Sequence, residues 1–177
     1  MILREIVPRL GKDRPVASVK PRVFIMGFPG TGRAGTPDDL NTEKSYGALR
    51  AHWNTVAGNE MLVIDAAKRY PNVTVFGLNP GGIKTNIRDN LFGKDSLKSR
   101  VFEGMLGLFT PTADAYADRL TPLLVSRDLE GHSGAMFDRK GQAILPSPKL
   151  TDSSYVNAFI TGSEALVAAR ASVRVSS

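Results

Sequence analysis

The chain has 177 residues, 42% hydrophobic and 23% charged, a length and composition that fit one globular domain with a sizeable core and exclude both a pair of full enzyme domains and intrinsic disorder. With no cysteine and two histidines, disulfide scaffolds, cysteine-ligated zinc, iron–sulfur clusters and thiol nucleophiles are excluded, and no metal site is expected. The net charge is +6, but the basic residues are scattered among acids, never run four together and are not interleaved with aromatics, so nucleic acid is not an expected partner. No apolar run reaches the roughly 20 residues of a membrane span, and Arg4 and Glu5 stand where a signal peptide would be apolar; the expectation is a cytoplasmic chain without a membrane partner.

Ile2, Leu3, Ile6, Val7 and Leu10 recur at helical spacing, interrupted by Pro8, and predict a short or partial helix over 2–10. Val23 to Met26 is an uninterrupted apolar run, which suits a strand buried on both faces. The segment 27–41 is rich in glycine and proline without periodicity, and reads as loop. A proline-free stretch from Gly47 to Tyr70, ended by Pro71 and Asn72, predicts the longest helix. Val73 to Leu78 reads as a second strand, closed by Asn79-Pro80-Gly81-Gly82, and completes a strand–helix–strand unit whose strands should be parallel. Helices are expected over about 97–108 and 113–125, a third strand over 134–137 turning into 142–145, and a last helix capped near Thr151-Asp152 with Val156, Phe159, Ile160, Leu166 and Val167 on its apolar stripe.

Gly30-Thr31-Gly32-Arg33-Ala34-Gly35 matches G-x-G-x-x-G after a strand. In a dinucleotide loop the last glycines open a helix whose amides receive pyrophosphate. Here Thr36-Pro37-Asp38-Asp39 follows, which would put two carboxylates where phosphate belongs, so the match reads as a coincidental glycine loop. Pro80 to Thr85 follows the second strand, at the carboxyl end where open parallel sheets bind ligands, and is either a ligand-facing loop or a plain turn. His52 and His132 are isolated histidines, each a packing or surface residue unless a site gathers around it. Tyr46 lies one helical turn before Arg50, an ordinary surface pair or a phenol beside a cation.

Two stretches together resemble the short-chain dehydrogenase/reductase family, and its retinol-dehydrogenase-like branch in particular. Asp38-Asp39-Leu40-Asn41-Thr42-Glu43-Lys44-Ser45-Tyr46 is similar to the Asp-Asp-Leu-Asn-Ser-Glu-Lys-Ser-Tyr ahead of that branch's catalytic helix, and Asn79 to Thr85 is similar to the family's Pro-Gly-x-x-x-Thr segment after its sixth strand. The resemblance implies an α/β fold, the C-terminal half of a Rossmann-type doubly wound parallel sheet with about three main strands and flanking helices, forming one partial domain over 1–177. It further implies oxidoreduction of a carbonyl or alcohol with NAD or NADP, with Pro80, Gly81, Ile83 and Thr85 at the nicotinamide end.

The departures from the family are specific. In the ungapped register its catalytic Tyr-x-x-x-Lys falls on His52 to Val56, so histidine replaces the tyrosine and valine the lysine, while its serine falls at Gly27 or Phe28. In the family's chemistry hydride passes between nicotinamide and the carbonyl carbon while tyrosine, tuned by lysine, handles the proton. His52 alone holds a proton-handling position here. Tyr46, six positions earlier and about 240° round the helix, would point elsewhere. The expectation is a chain inactive by itself that binds cofactor at about millimolar strength or not at all, or else a non-catalytic binding or dimerisation module. A homodimer through helices 2–10 and 47–70 is the partner expected from the family's helical dimer surface.

Overall fold

A computed structural model describes residues 2–13, 15, 19–81 and 112–175. They fall into two compact units, one built from the segments Met1–Asn79 and Arg127–Ser177 and the other from Pro80–Ser126. In the second unit the described helix is α3, Ala113–Val125, and the Thr112 side chain caps it by accepting from the Ala115 amide at 3.2 Å. The helix expected over 97–108 lies outside the described residues.

The first unit begins with α1, Ile2–Ile6, which tightens into a 3₁₀ turn at Val7–Arg9 where Pro8 cannot continue the helical hydrogen bonds. Strand β1, Arg22–Met26, and strand β2, Thr74–Leu78, flank the 22-residue helix α2, Ala48–Arg69. Strands β3, Met136–Phe137, and β4, Ala143–Ile144, precede α4, Ser153–Val175. The sheet order is β1-β2-β3-β4. β1 pairs with β2 in parallel, Phe24 opposite Phe76, and β2 pairs with β3 in parallel. β4 adds a fourth, short strand that returns antiparallel along β3, with Met136 opposite Ile144. The architecture is therefore α/β, a mostly parallel sheet flanked by helices, consistent with part of a Rossmann-type sheet.

β2 is buried at every position, its buried Thr74 donating to the Pro21 carbonyl at 3.3 Å, as a strand with neighbours on both sides requires. Two clusters form the core. One joins Val7, Val63, Ala66, Val73, Val75 and Met136 between α2 and the sheet; the other joins Ala57 and Met61 of α2 to Val156, Phe159 and Ile160 of α4. Each large apolar side chain so buried contributes about 1.5–3 kcal/mol. Gly77 allows β3 close to β2: a Cβ there would meet Met136 Cγ at 3.0 Å and Val63 Cγ2 at 3.3 Å. Ion pairs tie α1 to α2 and α4. Arg69 holds Asp65 with two hydrogen bonds at 2.8 and 3.0 Å, and Arg4 of α1 pairs with Glu164 of α4 and lies 3.7 Å from Asp65. The carboxylate beside it raises the Arg69 pKa. No helix among the described residues is long and apolar enough to cross a membrane.

Candidate functional site

The carboxyl end of β1 runs into the glycine loop, and α2 passes over it, so residues 27–36 and the first turns of α2 form one surface. Asn59 of α2 donates to the Met26 carbonyl at 3.2 Å and the Gly27 amide donates to Leu78 at 2.9 Å, which together fix where β1 ends. Phe28 lies edge-on to His52 with ring centroids 6.3 Å apart. His52 is exposed and tilted against Trp53 at 5.1 Å, and the Arg33 guanidinium sits 4.5 Å above the Trp53 ring. Of the two positions to which the resemblance assigns the serine, Gly27 has no side chain and Phe28 presents the ring that lies edge-on to His52. At the position it assigns to lysine, Val56 is buried with 2% of its surface exposed.

One helical turn further along this face stands Glu60, also 2% exposed. Its Oε2 accepts from the Gly30 amide at 3.1 Å and the Ser147 hydroxyl at 3.0 Å, and its Oε1 accepts from the Ser147 amide at 2.5 Å. The Ser147 Oγ in turn accepts from the Gly32 amide at 3.0 Å. Two amides of the G-x-G-x-x-G stretch are therefore spent inside the protein, and the loop does not fit a dinucleotide pyrophosphate. The carboxylates expected at the phosphate position are not there: the acid that fills the loop is Glu60, whereas Asp38 and Asp39 form a 3₁₀ turn further on, where Asp39 Oδ1 accepts from the Lys44 amide at 3.1 Å.

Sequence reasoning overlooked Glu60 and Asn54. Asn54, 4% exposed, accepts from the Thr36 amide at 2.8 Å and donates to the Asp39 and Leu40 carbonyls at 3.0 Å each, so it sews the Asp-Asp-Leu-Asn segment onto α2. A signal existed for Glu60, since it shares one helical stripe with Val56 and Val63. Tyr155 of α4 completes the frame by donating to the Ala34 and Gly35 carbonyls at 3.0 and 3.1 Å, and burial together with the charge of Asp38 raises its pKa.

Tyr46 and His132 stand apart from the ring cluster around His52. Tyr46 precedes α2 and is 81% exposed, while Arg50 donates to the Ser45 carbonyl at 3.1 Å. His132 lies exposed in a tight turn, its amide donating to Leu129. Pro80 and Gly81 open the second unit, Gly81 with a φ of 65°; Ile83 and Thr85 lie outside the described residues. Open cavities of about 330 and 370 Å³ flank Leu40, between α2, α4 and the 37–44 turn, and neither is lined by His52.

No protein-family model matches the chain. It is 50% identical over 168 residues to a protein of Saccharomyces cerevisiae (strain ATCC 204508 / S288c) named Uncharacterized oxidoreductase YKL107W. The match takes in 94% of this chain and 54% of that protein, so the chain spans about half the length of this relative.

Proposed function

We propose that the chain is an oxidoreductase of the short-chain dehydrogenase/reductase type, built for carbonyl and alcohol substrates and NAD or NADP, and that by itself it does not transfer hydride. The family part of this reading is supported by the relative's name, the parallel sheet and the Asp38–Tyr46 and Asn79–Thr85 motifs. The inactivity rests on one observation: Val56, buried and apolar, stands one helical turn from His52 where the family's chemistry needs an ammonium. Among the described residues His52 is the candidate for proton transfer, with Phe28 and Trp53 rather than a lysine and a serine beside it. Pro80, Gly81, Ile83 and Thr85 would face the nicotinamide. The Gly30 and Gly32 amides, bonded to Glu60 and Ser147, would not hold the cofactor's phosphates.

Trp53 is the sole tryptophan and adjoins His52, so its fluorescence reports on this surface. Titration with NADH or NADPH is expected to leave Trp53 unquenched below about 1 mM, a binding free energy no stronger than about −4 kcal/mol. NADH should not be consumed with aldehyde substrates. Micromolar quenching, with NADH oxidation lost in His52→Ala, would overturn the inactivity.

A second reading, a dimerisation module located in the cytoplasm, is favoured by the apolar residues left exposed on the two helices expected to pair. Ile2 on α1 is 79% exposed and Leu49 at the start of α2 is 72% exposed. Sedimentation velocity over a range of protein concentrations tests it.

A further inference from the structure

We propose that the Glu60 carboxylate is a built-in anion that closes the glycine loop, occupying the amides an external phosphate would need and thereby positioning Arg33 over Trp53 beside His52. The inference does not depend on whether the chain transfers hydride. Consecutive turns with glycines in the left-handed region point their amides inward and form a concave anion nest. Gly30 and Gly32 have φ of 76° and 73°, in the left-handed region that side chains rarely adopt. In a phosphate loop that nest would be open to solvent. Here Glu60 enters it from α2, while Ser147 enters from the segment after β4 and relays the Gly32 amide to the same carboxylate. Both carboxylate oxygens are engaged, and every donor around them is a backbone amide or the Ser147 hydroxyl. Without the acid the amide and hydroxyl of Ser147, a residue only 2% exposed, would lose their acceptor inside the protein and the Gly30 amide would lose its anion, which is why removing the acid should disturb more than one contact.

The nest is tightly packed at Gly30 and open at Gly32, where a Cβ would meet nothing within 4 Å. A Cβ on Gly30 would meet Ile144 Cδ1 of β4 at 3.0 Å, so the loop is pressed against the hairpin that carries Ser147. Three residues after Gly30, Arg33 leaves the loop and stacks on Trp53 at 4.5 Å. The clamp therefore determines which side chains flank His52. Glu60 itself touches none of them and is a positioning residue.

The test uses the full chain and the variants Glu60→Ala, Glu60→Gln and Ser147→Ala, read by Trp53 emission, acrylamide quenching and thermal midpoint. Glu60→Ala is expected to lower the midpoint by more than about 5 °C and to shift Trp53 emission to the red. Sodium formate or acetate should restore both in a saturable way by supplying a carboxylate to the vacated nest, where sodium chloride at equal ionic strength does not. A loss that formate repairs no better than chloride would overturn the proposal. If Glu60→Ala fails to fold, Glu60→Gln carries the test: it keeps the volume but turns an amide toward amides, so Trp53 should become more accessible to acrylamide while the far-ultraviolet spectrum is kept. Trp53 quenching identical to wild type in both Glu60→Gln and Ser147→Ala would overturn the clamp. A saturable response of wild-type Trp53 to inorganic phosphate would overturn the closure.

Discussion

Asn54 and Gly35 show how closely the surface around His52 is specified by individual side chains. Asn54 serves three backbone groups of residues 36–40. Asn54→Ala removes all three bonds, the Asp39 carbonyl keeping its bond from the Thr42 amide, and is expected to cost about 2–3 kcal/mol in chemical denaturation. Gly35 has a φ of 71°, and a Cβ there would meet Phe159 Cε2 at 3.0 Å and Ala57 Cβ at 3.1 Å; Gly35→Ala should destabilise by about 1–3 kcal/mol on the same assay. These roles were only partly legible. The motif match drew attention to residues 38–46 and the helix register to His52 and Val56, whereas a polar residue that packs inward, such as Asn54 or Glu60, looks in sequence like any polar residue of a helix. Asn54 finds its partners in the Thr36 amide and the Asp39 and Leu40 carbonyls, Glu60 in the Gly30 amide and in Ser147, 87 positions away, and local pattern carries no record of such contacts.

At the level of elements the sequence was far more readable, because boundaries are set by local chemistry. The helix expected over 47–70 is α2 at Ala48–Arg69, and Asp152 caps α4 as its position suggested. Asp152 Oδ1 accepts from the Ser154 amide and hydroxyl at 2.8 and 2.6 Å and from the Tyr155 amide at 3.3 Å. The Ser154 bonds, then the Tyr155 amide, lower its pKa below the ordinary aspartate range. A depressed carboxyl pKa contributes stability above the unfolded value, lost as pH falls through the folded one. Asp152→Ala should therefore lower the thermal midpoint at pH 7, with the gap from wild type closing as pH drops below about 4. The third strand was expected over 134–137, and the ladder is shorter, Met136–Phe137. Its approach is taken over by Ser133, whose Oγ accepts from the Val75 amide at 3.0 Å in place of a strand carbonyl.

For the molecule as a whole, the parallel pairing of β1 with β2 followed from the strand–helix–strand order, while the antiparallel β4 came from the tight turn at 138–141. Among the described residues β1 has a neighbour on one side only, and its Val23-Phe24-Ile25-Met26 core carries no charge to repel another strand. Sedimentation velocity over a range of concentrations is expected to show reversible self-association. Leu49→Glu should abolish it if helices pair, and Met26→Lys if strand edges do; a concentration-independent monomer would exclude both. The clamp of Glu60 and Ser147 carries one more consequence, in the order of assembly. Gly32 and Ser147 are 115 positions apart, so closure of that loop must wait for a late, long-range encounter. In hydrogen–deuterium exchange during refolding, the Gly30 and Gly32 amides should therefore gain protection after the helical amides of α2, and a protease present in that interval should cut between residues 27 and 35.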